Sequence, residues 1–510
     1  MRLAYVLGDQ LHPRNPALGP PSDTHVLMAE VAAEADRHAN HKQRLALFFA
    51  AMRHWADDRR RDGYTVRYHA LDDPDAPHDL ADALTRALHD HAYDEVAVVE
   101  PGRLALRDAL QRTCDDAGVP LRVVSDDHFF CSLDDFEAWA DGRRAFVMEH
   151  FYRWQRRRLG ILMNGDDPVG GRWNFDDQNR DAFGADGPPD IKPPIQFRPD
   201  DTTQAVLDLV DQRFPDNPGA LAPFEWPVTH DEALRATRDF VEHRLPHFGT
   251  FQDAMWTGRP FLYHARLSAA LNLKLVDPLY VIMKAVDAYH DGHAPLNAVE
   301  GFVRQIIGWR EYMRGLYYTF PDRFLDANAL DAHHDLPPLY WDGKTDMACL
   351  EDVVGQLLDT AYAHHIQRLM VAGLFALLYG VRPHAVHDWF MALYADSVEW
   401  VTLPNVVGMS QHADGGLTAS KPYVASGNYI RRQSNYCAAC RFDPRQATGD
   451  DACPFTTLYW DFLHRHADRF RDHRRMALQV KNLDRKSPDE LHAIATRAED
   501  VRAAARDGTL

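Results

Sequence analysis

Three cysteines fall within the stretch NYCAACRFDPRQATGDDACPF, residues 435–455: Cys437, Cys440 and Cys453. A C-x₂-C pair lets two thiolates grip one metal centre from a single turn. Cys453 follows after twelve intervening residues and precedes Pro454, as the closing ligand of an iron–sulfur site commonly does. Three thiols are one short of a tetrahedral site. Cys349, in WDGKTDMACLEDV, can complete four thiolates, and His464, His466 or His473 can complete a Cys₃His zinc site. Spacing alone leaves zinc and iron–sulfur both open; a bound metal is the stronger expectation. Cys114 and Cys131 lie far upstream and read as buried core thiols.

A second constellation sits in AHHIQRLM, where His364, His365 and Arg368 cluster within about one helical turn. An arginine on an otherwise apolar helix needs a carboxylate, because an unpaired buried charge costs several kcal/mol. Asp396, in LYADSVEW, is the candidate partner. Paired imidazoles beside a buried arginine suit proton transfer, and the small-residue run VAGLFA behind them permits close approach of a flat ligand. Aromatics crowd the same half of the chain, among them Trp309, Trp341, Trp389, Trp400, Tyr423, Tyr429 and Trp460.

The elements that must hold these groups divide into two textures. Over the first ~130 residues, short apolar runs at 3–7, 25–31, 65–71, 95–101 and 121–125 alternate with amphipathic stretches at 42–60, 80–91 and 104–116. That alternation predicts a doubly wound parallel, Rossmann-like sheet. It carries no G-x-G-x-x-G fingerprint. In such sheets a ligand sits at the carboxyl ends of the strands, which singles out GDQL (8–11) and AEVAAE (29–34). Residues 176–200, rich in Pro, Gly and Asp, read as a connection. Beyond them the pattern is helical. The expected domains are 1–135 (α/β), 136–200 (connection) and 201–510 (all-α).

Length and composition fit a two-domain globular protein with ample core. No apolar run reaches the ~20 residues of a membrane span, no secretory leader is visible, and six thinly spread cysteines are not a disulfide framework. A cytoplasmic monomer is expected. The net charge of −19 argues against wholesale nucleic-acid binding. Local basic clusters nevertheless occur at 152–160, 429–433 and 471–476, and a local face is what contacts phosphates.

Taken in order, GDQL, GGRWNFDDQNR, RQIIGWREYMRG, AHHIQRLM, LPNVVGMSQHADGG, KPYVASGNYI and the cysteine window resemble the photolyase/cryptochrome superfamily, specifically its iron–sulfur bacterial branch with the prokaryotic (6-4) photolyases. The resemblance covers nearly the whole chain. It implies a [4Fe–4S] cluster on Cys349, Cys437, Cys440 and Cys453. It implies FAD in the helical domain, held by His264, Leu267 and Ser268 of YHARLS, by Gln305 and Arg310, and by the Arg368–Asp396 pair beside the ring. Trp389 would be the first electron relay, with Trp341 and Tyr429 onward. In the N-terminal pocket, Asp9, Gln10, Glu30 and Glu34 would hold an antenna, 6,7-dimethyl-8-ribityllumazine. Mg²⁺ is a further candidate cofactor.

The function so implied is light-driven repair of pyrimidine (6-4) photoproducts in UV-damaged DNA, by an electron from photoexcited reduced FAD to a flipped-out lesion. His365, backed by His364, would act as general acid, with Tyr423 and Arg368 lining the lesion cavity. The alternatives are a cryptochrome-type photoreceptor without repair and a cyclobutane-dimer photolyase.

Overall fold

The computed structural model describes residues 1–143 and 145–510. Five strands, β1 (Arg2–Tyr5), β2 (Thr24–Ala29), β3 (Thr65–His69), β4 (Glu95–Val99) and β5 (Leu121–Val124), form one sheet in the order β3-β2-β1-β4-β5. Every neighbouring pair is parallel. The central strands are buried on both faces, which explains their continuous apolar runs. The strand order reverses between β1 and its neighbours β2 and β4, so the crevice beyond β1 is the natural ligand position.

Helices α1 (Lys42–Arg61), α2 (Leu80–Asp90) and α3 (Leu104–Ala117) make the crossovers. Leu84, Ala87, Leu110 and Cys114 of α2 and α3 cover one face of the sheet. On the other face, Leu45, Phe49, Met52 and Trp55 of α1 belong to a core continuous with the helical half. Helix α4 (Met148–Leu159) and a two-residue antiparallel hairpin, Met163–Asn164 with Asp167–Pro168, interrupt the connection.

Two differences from the sequence reading follow. Helix α5 (Asp201–Arg213) was assigned with the helical domain, yet its Val206, Leu207 and Val210 stripe packs on α1. Its i, i+1, i+4 apolar face is satisfied by the nearest complementary helix rather than by sequence order. The basic cluster at 152–160 is also largely structural. Arg156 is fully buried, donating to the carbonyls of Ile161, Leu162 and Trp173, and Arg158 bonds Phe130 O and Asp135.

The helical half positions the chemistry on α6 (296–319), α7 (Ala348–Thr360), α8 (365–379), α9 (Pro383–Leu393), α10 (399–410) and α11 (Pro454–Arg465). Three of them contain a wide, π-helical turn: Arg304–Arg310 in α6, Arg368–Gly373 in α8 and Pro404–Ser410 in α10. Such turns concentrate at functional sites because they re-aim side chains by one position. All three coincide with motifs singled out above. Among the described residues no helix is long and apolar enough to cross a membrane.

Candidate functional site

Arg368 opens the wide turn of α8, and its guanidinium meets Asp396 in a two-pronged pair at 2.9 and 3.0 Å. Its Nε donates to Ala363 O at 2.6 Å, and the guanidinium lies 4.1 Å over the Tyr394 ring. Burial opposes ionisation of Asp396, but the Arg368 charge and hydrogen bonds from Arg368 and Ser268 hold its carboxyl below the usual range. The partner expected from burial is the partner found.

His364 is 2% exposed, stacked on His264 with ring centroids 3.9 Å apart, and neither of its ring nitrogens has a hydrogen-bond partner. Burial, then the neighbouring His264, His365 and Arg368, push it well below the ordinary imidazole range. Burial and Arg368 push His365 down to about 4. His365 presents accessible surface although protein surrounds it. Both imidazoles are therefore neutral at pH 7. His264 faces the carbonyls of Phe261 and Gln252 at 3.1 and 3.0 Å.

Around these rings several buried donors are incompletely partnered: Arg244 Nε, Arg266 Nε and the Tyr394 hydroxyl join both His364 nitrogens. Arg266 stacks 4.1 Å over Trp226 and reaches Glu225 only at 4.0 Å. Burial lowers its pKa to about 10. Three non-glycine residues with positive φ border the same space, Leu262 (42°), Arg266 (54°) and Ala361 (52°), and backbone strain of this kind gathers at ligand clamps. Buried polar groups without partners are costly. This set, cationic and ring-lined, fits a large anionic aromatic ligand such as FAD. Sequence reasoning missed Arg244 and Arg266, although Arg266 lies inside YHARLS.

Not every expected flavin contact gathers here. Leu267 is buried and Ser268 reaches Asp396, whereas Gln305 is exposed and donates to Gly301 O at 2.8 Å. Arg310 points the other way. It donates to His128 O at 2.9 Å and lies 4.0 Å over Phe129, locking α6 to the end of the α/β domain. The wide turn beginning at Arg304 rotates Arg310 onto that face.

Trp389 is fully buried, its indole donating to Tyr340 O at 2.8 Å. Its ring contacts are Tyr340 (5.0 Å), Phe390 (5.1 Å) and Tyr394 (5.7 Å). Tyr394 thus joins Trp389 to Arg368, and Tyr340 joins it to half-exposed Trp341. Tyr429 stands apart, near the charges of Asp253, Arg180 and Arg432. Tyr423 faces Asp176 and Arg475, the latter in the basic segment 471–476.

The four cysteines converge. Cys349 opens α7, Cys437 and Cys440 lie in the turn after Tyr436, and Cys453 caps α11 ahead of Pro454. All four line one small cavity with Tyr436 and Phe455, and none is in a disulfide. A Cβ on Gly427 would come within 2.8 Å of Cys453 Sγ, so glycine is required there. Burial, and then the neighbouring cysteines, push Cys349 well up, Cys453 to about 12 and Cys437 to about 11. Only a cation would hold them together as thiolates. Four thiols on one cavity are a donor set that suits either zinc or an iron–sulfur cluster. No histidine lines the cavity; His466 and His473 pack on Phe462 and Phe470 instead.

The four N-terminal residues divide. Gln10 is fully buried and donates to Val99 O at 2.9 Å. Glu30 accepts from Arg53 Nε and Nη2, Tyr68 OH and Leu71 N at 2.6–2.9 Å, which fills its acceptor capacity. Glu30 thus has no acceptor position left for a ligand, whereas the Gln10 amide keeps a second N–H beyond the one on Val99 O. Asp9 and Glu34 remain beside Arg44, whose Nη1 is unpartnered and whose charge also faces Asp396. Arg44 therefore stands between the two pockets. For Mg²⁺, the compact carboxylate group Asp126, Asp127 and His128 fits poorly, because Lys274 already pairs with Asp126 at 2.7 Å.

An α/β sheet domain joined to a helical domain with a buried Arg–Asp pair is the architecture of photolyases and cryptochromes. Two solved structures show the same fold: a bacterial class III photolyase from Agrobacterium tumefaciens (TM-score 0.58, 15% identity, 99% of this chain and 98% of that one) and a Synechocystis cryptochrome (TM-score 0.55, 13% identity, 85% and 88%). Residues 4–226 match the family model of deoxyribodipyrimidine photo-lyase-related protein. A (6-4) photolyase of Agrobacterium fabrum is 46% identical over 503 residues, 98% of each chain. The chain belongs to the photolyase/cryptochrome superfamily, in the branch of these photolyase-related proteins.

Proposed function

We propose that the chain is a light-dependent DNA repair enzyme acting on pyrimidine (6-4) photoproducts. The observation that carries this reading is buried His364, both ring nitrogens unpartnered, next to His365 and the Arg368–Asp396 pair, in a chain aligned from end to end with a (6-4) photolyase. FAD would be held by the Arg368–Asp396 pair, Ser268, His264 and the incompletely partnered Arg244 and Arg266. When bound, reduced and excited by light, the flavin would lend one electron to the lesion and regain it once the two pyrimidines are restored.

The remaining work belongs to the protein. A damaged pair is cheap to unstack, and the basic segment beside Tyr423 would grip its phosphates. His365 is not a resting acid, since burial holds it neutral. Negative charge developing on the lesion favours imidazolium, so His365 would take up a proton from solvent as that charge appears and deliver it to the bridging atom while the bond rearranges. Stacking on His264 restricts His364, and Arg368 stabilises the developing anion. Ring contacts join Tyr394, Trp389 and Tyr340, and half-exposed Trp341 follows Tyr340 in the chain, so these residues would relay electrons towards the surface. The four cysteines would hold a [4Fe–4S] cluster, and Asp9, Glu34 and Arg44 an antenna such as 6,7-dimethyl-8-ribityllumazine. We expect a cytoplasmic monomer.

Blue-light illumination of a duplex with a single (6-4) lesion tests the reading. Restoration of the two pyrimidines in the light, and not in the dark, is expected. Repair of cyclobutane dimers alone, or of neither lesion, would replace it with one of the other activities of the superfamily.

A further inference from the structure

Helix α7 carries Cys349, Asp352 and Gln356 at spacings of three and four residues, hence on one face. Its N-terminal end meets the cysteine cavity, and its C-terminal end meets the turn that bears His364 and His365. Between the two ends lies Gln367, 1% exposed, with every hydrogen-bonding position of its amide used. Its Nε2 donates to Gln356 Oε1 at 3.0 Å and to the Tyr436 hydroxyl at 3.2 Å. Its Oε1 accepts from Gln356 Nε2 and from the backbone N–H of His364, both at 3.1 Å. That last bond pins the start of α8 as a capping glutamine does. Gln356 Nε2 also donates to Tyr362 O at 2.9 Å, fixing the chain just before the two histidines.

Tyr436 completes the link. It is 1% exposed, lines the cysteine cavity and immediately precedes Cys437. Its hydroxyl faces the carboxylate of Asp352, which accepts the Gly258 N–H at 2.9 Å. One buried amide therefore touches three pieces of chain: the helix with the fourth thiol, the segment with the C-x₂-C pair, and the turn with the candidate acid. A saturated buried amide fixes geometry strongly, because each broken bond leaves a polar group unpaired in a low dielectric.

We propose that Gln367 is the positioning residue for the His364–His365–Arg368 turn, and that Tyr436 couples its placement to the four-cysteine centre. The cluster then sets the aim of His365 through hydrogen bonds, with no electron passing between them. This rests on the repair reading for its consequence, but not for its test.

The experiment uses full-length protein loaded with flavin and metal, comparing Gln367→Met and Tyr436→Phe with the parent. For Gln367→Met, repair per absorbed photon should fall about tenfold, as displacement of a reacting group by a fraction of an ångström does. Its affinity for a (6-4) duplex should change less than about twofold, with flavin and iron content unaltered. Tyr436→Phe, which loses one bond only, should fall about threefold. Gln367→Glu keeps the acceptor for the His364 N–H and should recover part of the loss. Independently of activity, the ring NMR signals of His364 and His365, labelled at carbon, should move in both Gln367→Met and Tyr436→Phe. Unmoved signals overturn the proposal whatever the repair rate, and so does a parallel loss of duplex binding and turnover. A parent protein that repairs nothing would sink the functional reading alone, and the ring signals would still decide the coupling.

Discussion

Glu30, beyond β1, and the groups around Arg368 are all buried, and they are satisfied in opposite ways. Glu30 closes four hydrogen bonds within its own domain and has no capacity left. Around Arg368, both His364 nitrogens, Arg244 Nε, Arg266 Nε and the Tyr394 hydroxyl are open. A buried polar group with every partner supplied is architecture, whereas a group of such residues all open towards one space is a binding surface. Position at a strand end did not separate these cases. Counting partners did.

The largest effect expected of this contrast is at the ion pair. Arg368→Met leaves Asp396 buried and unpaired, which should cost about 3–5 kcal/mol. Chemical denaturation should show that loss together with loss of the flavin band. His365→Ala removes proton transfer but no packing partner of the sheet, so repair should drop about a hundredfold, or ~2.7 kcal/mol of barrier. Flavin content and melting should stay within error of the parent. Normal repair by His365→Ala would remove the acid assignment.

On the other side of the comparison, Glu30→Gln should destabilise by about 2 kcal/mol through its charge-assisted bonds, with repair by the folded protein unchanged. Asp9→Asn and Glu34→Gln should instead alter antenna absorption with little effect on stability. Reversal of that pattern would put Glu30 back in the pocket.

A further effect is graded with pH. Burial lowers His41 and His264 to about 4 in the folded chain, against an ordinary value of 6.5. The unfolded chain therefore binds more protons between those values, and stability falls as pH drops from about 6.5 towards 4, by roughly 1 kcal/mol per histidine per pH unit. Glu311 works oppositely. Burial raises it to about 7, so its contribution weakens as pH rises from the ordinary glutamate value through 7. Denaturation midpoints at pH 5, 6 and 7 check the sum, in which the histidines should dominate below pH 6.

Much of this was legible in the chain. The five strands and three crossovers stand within two residues of their apolar runs, because buried parallel strands leave an unmistakable pattern. Asp396 could be named because a buried arginine demands a carboxylate. Cys349 could be named as one candidate fourth ligand, but its convergence on the other three depends on how α7 and α11 pack. The contacts of Arg310 with His128 and Phe129 were not legible, because no pattern of side-chain types marks where a wide turn falls. Arg44, Arg266, Tyr340 and Tyr394 escaped notice since their importance lies in contacts between elements distant in sequence. Residues 201–213 show the same limit: an amphipathic stripe says that a face is buried, not against what.

The most direct test of the account is single-lesion repair by flavin-loaded protein under blue light, with flavin reduction followed in the same cuvette. The structure leads us to expect (6-4) lesions to disappear in proportion to absorbed photons, with the damaged duplex bound in the dark and released after turnover. Efficient flavin photoreduction with every lesion left intact would contradict it.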